Sequence, residues 1–357
     1  MMKAALDGAE VLILGGTGSL GQRLFHRILA DEMGSPASVT VVSRDEAKQH
    51  AMRLELMHQT VATDDVIYNE TAKPARFAIG DVRNYPDMRR YVERSDVIFH
   101  AAALKQVPTC EYHGAAAVDT NVIGAINLAR AVFESRGGGK DVVGISTDKA
   151  CKPVNMMGMT KAIQERILVQ ANLDTPGCRF VNVRYGNVMA SRGSVIPFFI
   201  DLVRRGKPLP ITDRRMTRFL MTLDESVDLI FRALRHANAG ETYVPLLASA
   251  RVTDIALAVA EAETYPMTDT GIRPGEKIQE ILVSEEEVAH TVFRGDDLVI
   301  LPILPELRVD EVGTRELPFA GEYTSGAAPL PLPEVRALLL RHRLTRGTAP
   351  ETGEIFR

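Results

Sequence analysis

The sequence predicts a doubly wound α/β fold, an open parallel sheet wrapped by helices on both faces, followed by a smaller lobe. Three observations predict it. Val11-Leu12-Ile13-Leu14 is a short, uniformly apolar run that ends at Gly15 and leads into an amphipathic stretch. Further short apolar runs follow at the spacing of strands alternating with helices. At 357 residues the chain can hold one large or two modest domains.

The first strand reads as buried on both faces because it has no polar alternation. Gly15-Gly16-Thr17-Gly18-Ser19-Leu20-Gly21 follows it and precedes the amphipathic segment Gln22 to Ala30. Glycines at this turn allow a tight reversal and close approach of a pyrophosphate, which the unpaired N–H groups of a helix N-terminus attract. A glycine pattern alone is a weak signal; the strand-turn-helix order strengthens it. The next run, Val39-Thr40-Val41-Val42, ends in Ser43-Arg44-Asp45. An acid ending this strand would hold a ribose 2′-OH, whereas Arg44 there can pair with a 2′-phosphate, with Lys48 adding a second charge. NADP is therefore the expected cofactor. The competing reading has Arg44 and Lys48 solvated and Asp45 on the ribose. Arg76-Phe77-Ala78-Ile79 precedes Gly80-Asp81-Val82-Arg83, an adenine-side loop through Asp81 and Val82. Val97-Ile98-Phe99-His100 precedes Ala101, Ala102 and Ala103, small residues that let backbone pass close to the cofactor. Asp141-Val142-Val143-Gly144-Ile145 leads into Ser146-Thr147.

Hydrophobic content of 45%, charged content of 25% and a net charge of -4 are those of an ordinary globular chain, with no general pull toward nucleic acid or anionic membrane. The cysteines, Cys110, Cys151 and Cys178, are odd in number, widely spaced and without metal-ligand spacing, which fits a reducing cytoplasm. Charges interrupt the first ten residues, so no secretory signal is expected, and no apolar stretch approaches the length of a membrane span.

With these motifs in place, the chain resembles the extended short-chain dehydrogenase/reductases, whose nucleotide domain is Rossmann-like. Within them it is similar to the polysaccharide-biosynthesis branch, the 5-inverting UDP-N-acetylglucosamine 4,6-dehydratases. The resemblance runs over about residues 9 to 285. It rests on the glycine turn, Ser43-Arg44-Asp45-Glu46, Gly80 to Arg83, His100 to Pro108, Ser146-Thr147-Asp148-Lys149-Ala150 and Arg184-Tyr185-Gly186-Asn187-Val188. Ser191 to Val195, Ile211 to Phe219 and Gly271-Ile272-Arg273-Pro274-Gly275-Glu276-Lys277 complete it. It implies a cofactor-binding domain over residues 1–186, with 222–246 returning to it. A substrate lobe then covers 187–221 and 247–344, and 345–357 form a mobile tail. Thr222 to His236 carries the amphipathic pattern of the returning helix. The resemblance also implies a homo-oligomer like the short soluble members, without a membrane helix ahead of the domain. A leucine-rich helix at Pro333 to His342 is an oligomer contact or a plain surface helix.

The implied reaction moves a hydride from C4 to C6 of the sugar and eliminates water across C5 and C6. By the resemblance Asp148 is the acid at the C6 hydroxyl and Lys149 the base at C5. A lysine must be neutral to act as a base, and burial beside a cationic nicotinamide is expected to lower its pKa; a dry pocket would keep Asp148 protonated. An isolated Asp-Lys pair would instead be a solvated turn.

Lys161, four residues beyond Met157, matches the lysine of Tyr-x-x-x-Lys and is expected on the nicotinamide ribose, but the tyrosine slot holds Met157. Either Thr147, Asp148 or a water relayed to Lys161 takes the C4 hydroxyl proton, or the chain is inert, or it belongs to dehydratases that work without tyrosine. The last is favoured, because some 5-inverting members resemble this Met-x-x-x-Lys form. Tyr185 is no substitute, since it belongs to the separate Arg-Tyr-Gly-Asn motif near the cofactor.

The resemblance also places Lys105, Asn121 and Ser146 at the cofactor, with Lys105 able to reach the sugar. It puts Asn187, Arg192, Ser194, Val195, Thr212, Met216, Arg218, Arg273 and Glu276 around a nucleotide-sugar substrate, UDP-N-acetylglucosamine for preference. Arg192, Arg218 and Arg273 suit a diphosphate through bidentate hydrogen bonds. Two rivals stand beside the dehydratase: a nucleotide-sugar 4-epimerase, which needs the tyrosine, and an inert NADP-binding scaffold.

Overall fold

The structure is a computed structural model that describes residues 4–57, 74–135, 138–189, 194–309 and 316–347. Its first part alternates strand and helix: β1 (Glu10–Leu14), α1 (Ser19–Leu29), β2 (Ser38–Ser43), α2 (Glu46–Leu56), β3 (Ala75–Ile79), α3 (Tyr85–Val92) and β4 (Val97–His100). Then come α4 (Val107–Tyr112), α5 (Gly114–Val118), a π-helical turn at Asp119–Ile123, α6 (Gly124–Glu134), β5 (Asp141–Ile145), a 3₁₀ turn at Asp148–Ala150, α7 (Met156–Asp174) and β6 (Arg179–Val183). The later part holds β7 (Asn187–Val188), α8 (Val195–Arg204), β8 (Leu209–Ile211), β9 (Thr217–Met221), α9 (Leu223–His236), β10 (Thr242–Pro245), β11 (Ala248–Arg251) and α10 (Val252–Ala260). It ends with β12 (Met267–Asp269), β13 (Ile281–Val283), α11 (Glu285–Val288), β14 (Thr291–Arg294), β15 (Asp297–Ile300), β16 (Tyr323–Thr324) and α12 (Leu332–Arg341).

Among the described residues, nine strands form the main sheet in the order β14-β15-β10-β6-β5-β4-β1-β2-β3. Pairing is parallel from β3 across to β10. The apolar runs of the sequence are the inner strands, and both faces are covered. Val11, Ile13, Val41, Phe99 and Val143 pack with Leu24, Phe25 and Ile28 of α1 and Val227 and Ile230 of α9. Leu12, Leu14, Ile98, Val142 and Phe180 face the other way, onto Met88, Leu128 and Leu168 of α3, α6 and α7. Successive residues of a strand point to opposite faces, so a strand buried on both must be apolar throughout. The chain runs outward from β1 to β3 and resumes on the other side at β4. The carboxyl ends of β1 and β4 therefore flank the switch point where such sheets bind ligands.

Helix α9 returns to the main sheet as expected. It starts with a capping box between Thr222 and Glu225 and is tied to α1 by Arg27, which pairs with Asp228 at 2.6 Å. The domain boundary after it differs from the expected one. Residues 291–300, expected in the smaller lobe, form β14 and β15, which add antiparallel to β10. All four residues of β15 are buried, so it is an interior strand, and Asp297 in it is neutralised by Arg232 at 2.5 Å. The smaller lobe carries the sheet β11-β9-β7 and the pairs β12-β8 and β13-β16. The leucine-rich helix α12 is part of this lobe's core, with Val335 and Leu339 buried beside Ile255 and Val259 of α10. Much of its leucine run is thus used inside the chain. Of the expected tail, residues 348–357 lie outside the described residues. No described helix is long and apolar enough to cross a membrane.

Candidate active site

The turn after β1 is built by close approach. Gly15 has φ +79°, and a Cβ on it would stand 2.6 Å from Ala102 N and Cα, so only glycine lets the β1 and β4 loops meet here. A Cβ on Gly21 would stand 2.5 Å from Gly16 Cα. Gly18 is the N-cap of α1 and offers no side-chain cap, and a Cβ there would meet nothing nearer than Gly15 O at 3.5 Å. The first turn of α1, at Ser19, Leu20 and Gly21, therefore has no side-chain cap; Gly18 before it is exposed, and Thr17 and Gly21 are buried. These residues fit a dinucleotide pyrophosphate.

At the end of β2 the Asp45 carboxylate caps α2, accepting from Lys48 N at 3.0 Å, and pairs with Lys48 Nζ at 2.5 Å. Ser43 Oγ accepts from Gln49 Nε2 at 3.0 Å. The Arg44 side chain lies 3.8 Å from Asp81, and both Arg44 and Lys48 are about half exposed. Asp81 is bound to Arg83 at 2.5 Å, which holds its carboxyl below the usual range, and Val82 O accepts from Asn127 at 2.9 Å.

Asn121 sits in the π-helical turn, fully buried. Its side chain accepts from Leu104 N at 2.9 Å and donates to Leu104 O and Thr160 Oγ1. These bonds pin the loop that carries Ala101, Ala102, Ala103 and Lys105.

The segment after β5 brings the acid/base residues together. Ser146 Oγ donates to Glu165, so this hydroxyl too is engaged within the protein. Thr147 caps the 3₁₀ turn and donates from Oγ1 to Asp148 Oδ1 at 2.9 Å. Lys149 Nζ donates to the same oxygen at 3.0 Å. Asp148 is fully buried, and its Oδ2 has no hydrogen-bond partner among the described residues. Asp148 N donates to Tyr185 O at 3.0 Å, so the Arg-Tyr-Gly-Asn segment backs the turn rather than reaching over it. The start of α7 lies against this turn, because a Cβ on Gly158 would stand 2.2 Å from Lys149 O.

Burial depresses the Lys149 ammonium, but Asp148 and then Glu280, whose Oε1 lies 3.4 Å away, outweigh it and leave the lysine above its ordinary value, which favours the ammonium. Sequence reasoning missed Glu280, a buried carboxylate that meets Lys149 only in the folded chain. Lys161 is the amine that burial lowers, to about 7, against an opposing pull from Glu165. Its Nζ donates to Ile145 O at 2.5 Å and Gln164 Oε1 at 2.7 Å. Met157 is buried against Cys110 and Ala117. His100 at the end of β4 is fully buried, both ring nitrogens unpartnered among the described residues. Burial, then the charge on Lys161, push it down to about 3.

On the opposite lobe, Arg218 is only partly available. Its Nη1 donates to Thr217 O at 2.7 Å and Ile278 O at 3.2 Å, and its Nε lies 3.7 Å from Glu280. It thus lies beside Glu280, and Met216 is buried with Sδ 3.3 Å from Arg218 Nη2. Arg273 is exposed, 3.9 Å from Glu276. Asn187 Oδ1 and Ser194 Oγ are buried without partners among the described residues, so the amide oxygen can accept from a ligand and the hydroxyl can accept or donate. Ser194 is the N-cap of α8, which starts at Val195, and Thr212 follows β8. Arg192 lies outside the described residues. A second missed residue, Arg184, joins Glu165 at 2.7 Å and Glu287 at 2.8 Å, linking the end of β6 to α11.

The profile of a family described as "Polysaccharide biosynthesis protein" matches residues 11–301. The chain belongs to this family. A UDP-glucose 4-epimerase of Rickettsia typhi is 38% identical over 343 residues, 92% of this chain and 95% of that one. The X-ray structure of Pen from Bacillus thuringiensis superposes with a TM-score of 0.83 at 31% identity, covering 95% of this chain and 99% of the other. The dTDP-glucose 4,6-dehydratase DesIV of Streptomyces venezuelae, solved with NAD bound, has a TM-score of 0.62 at 22% identity over 75% of this chain and 86% of its own. This polysaccharide biosynthesis protein therefore has the Rossmann-type architecture of the extended short-chain dehydrogenase/reductases, and it is a nucleotide-sugar-modifying enzyme of that group.

Proposed function

We propose that the enzyme is an NADP-dependent nucleotide-sugar 4,6-dehydratase that acts on UDP-N-acetylglucosamine and inverts C5. The observation that carries this reading is the buried Asp148–Lys149 pair at the end of β5, hydrogen-bonded at 3.0 Å. The chemistry supplied by the bound cofactor is a hydride withdrawn from C4 and returned to C6. The protein's part is to move protons. One transfer, from Lys149 Nζ to Asp148 Oδ1 along their hydrogen bond, arms both residues. It leaves Lys149 a free amine able to take the C5 proton, and Asp148 an acid able to protonate the departing C6 hydroxyl. Lys161, titrating near neutrality and fixed on Ile145 O, supports acceptance of the C4 hydroxyl proton through a water. Lys105, Asn187, Ser194, Val195, Thr212, Met216, Arg273 and Glu276 hold the nucleotide sugar in this reading, with Arg192. Ile126, Phe133 and Ile163, exposed on the neighbouring helices α6 and α7, support a homo-oligomer.

The name of the Rickettsia relative favours a second reading, 4-epimerisation. That reaction needs a group to exchange a proton with the C4 hydroxyl but has no use for an elimination pair. Incubation with UDP-N-acetylglucosamine and NADP separates them by product mass: a dehydratase yields a sugar one water lighter, an epimerase a product of unchanged mass.

Two substitutions test the parts. Arg44→Ala is expected to weaken NADP binding about 10- to 100-fold, the value of a charge-assisted hydrogen bond, and to leave NAD binding unchanged. Equal losses for both cofactors, read by fluorescence titration, would remove Arg44 from the 2′-phosphate. Met157→Leu conserves volume at a packed site and is expected to change turnover by less than about tenfold, since losing a proton-transfer group costs about 10²-fold or more. A larger loss in a folded variant would give the thioether a role that the proposal denies it.

A further inference from the structure

Glu280 lies at the start of the strand pair β13-β16, far along the chain from the acid/base turn, yet its carboxylate is buried against that turn. Oε1 is 3.4 Å from Lys149 Nζ and 3.7 Å from Arg218 Nε, while Oε2 is buried without a hydrogen-bond partner among the described residues. The backbone around it is fixed. Glu280 N donates to Ser325 Oγ at 2.9 Å, Ser325 N donates to Glu280 O at 2.9 Å, and Ser325 Oγ also meets Thr217 Oγ1 at 2.7 Å. A buried carboxylate held this firmly beside an ammonium is a costly arrangement unless its charge is used or balanced. Arg218 supplies a standing balance: two of its contacts anchor it to backbone carbonyls, and its guanidinium remains charged at every working pH.

We propose that Glu280 is a positioning residue for the Asp148–Lys149 pair: its carboxylate holds the shared proton on Lys149 rather than on Asp148, and it raises the pH at which the pair exchanges protons with solvent. The inference rests on the acid/base roles proposed above. The groups that bear on Lys149 are Asp148 on its own turn, Glu280 before β13 and Arg218 on β9. Lys277, which donates to Cys151 O at 2.6 Å, faces the same two carboxylates. Asp148 and Glu280 favour the ammonium; Arg218 and Lys277 oppose it. Of the two carboxylates that favour the ammonium, Glu280 is the one whose charge can be removed without altering the acid/base turn itself.

The test compares wild type with Glu280→Gln, which keeps the shape and loses the charge. Competitive acetylation at about pH 8, read by peptide mass spectrometry against exposed Lys207, reports the free-amine fraction of Lys149 without any substrate. Glu280→Gln is expected to raise it about tenfold, the effect of a pKa lower by one unit, with Glu280→Asp in between. The rising limb of the pH profile for water loss should move to lower pH in the same order. Loss of packing alone would not order three variants by carboxylate position. If Glu280→Gln does not fold, Glu280→Asp carries the test, and its Lys149 must still label faster than in the wild type. An unmoved labelling ratio in an enzyme that does release water overturns the role of Glu280 alone. A wild type that turns over without losing water overturns the dehydratase reading, and the pH-profile part with it.

Discussion

Lys149→Ala is expected to lower the rate of water loss by about 10³-fold or more while NADP still binds. General acid–base groups are worth about 10² to 10⁴, and this side chain occupies the centre of the proton path. The substitution removes the C5 base and also the donor to Asp148 Oδ1. It leaves two buried carboxylates, Asp148 and Glu280, without the ammonium between them. The cofactor cradle is formed by different residues, at Gly15 to Gly21 and Ala101 to Ala103, so dinucleotide binding should persist. Steady-state turnover and cofactor titration on the same preparation check both halves. Turnover near the wild-type rate would remove Lys149 from the mechanism.

Arg184→Ala is expected to destabilise the fold by about 3–5 kcal/mol, the usual consequence of removing one partner from a buried ion pair. Arg184 is buried, and its guanidinium donates to both oxygens of Glu165 and both of Glu287. Both partners hold its charge far above the range in which an arginine could lose it, against the opposing pull of burial. Truncation leaves two carboxylates facing each other across the junction of β6 and α11. Glu165 also accepts from Ser146, so the start of the acid/base segment loses part of its support. Denaturant unfolding followed by circular dichroism reads the loss. An unchanged midpoint would mean that the two glutamates find water or each other without penalty.

The parts of the molecule that were legible in the sequence are those set by local pattern. β1, β2, β4 and β5 announce themselves because strands covered on both faces must be apolar throughout. The turn at Gly15 to Gly21 announces itself because close backbone approach excludes a Cβ. The amphipathic pattern of Thr222 to His236 marks α9, whose capping box between Thr222 and Glu225 emerges in the structure. What was illegible depends on distant residues meeting. β15 reads as a strand, but its place beside β10 follows from pairing across the intervening lobe. The charge of Lys149 was expected to fall because its burial could be foreseen. Its pKa is raised by Asp148 and then by Glu280, which arrives from another element, and nothing in the run Lys277-Ile278-Gln279-Glu280 signals that second meeting. Asn121 and Arg218 carry the residue types of ligand contacts, and their side chains also meet Leu104, Thr217, Ile278 and Glu280. Hydrogen-bonding capacity can be read from a sequence, but not which partner uses it first.

The measurement closest to the central claim is turnover of UDP-N-acetylglucosamine in deuterated water, with the product examined by NMR and mass spectrometry. Elimination across C5 and C6 requires the C5 proton to leave and a solvent-derived one to return. The account predicts a 4-keto-6-deoxy sugar, one water lighter than the substrate, carrying deuterium at an inverted C5. A product of unchanged skeleton with protium retained at C5 and an altered C4 would contradict it.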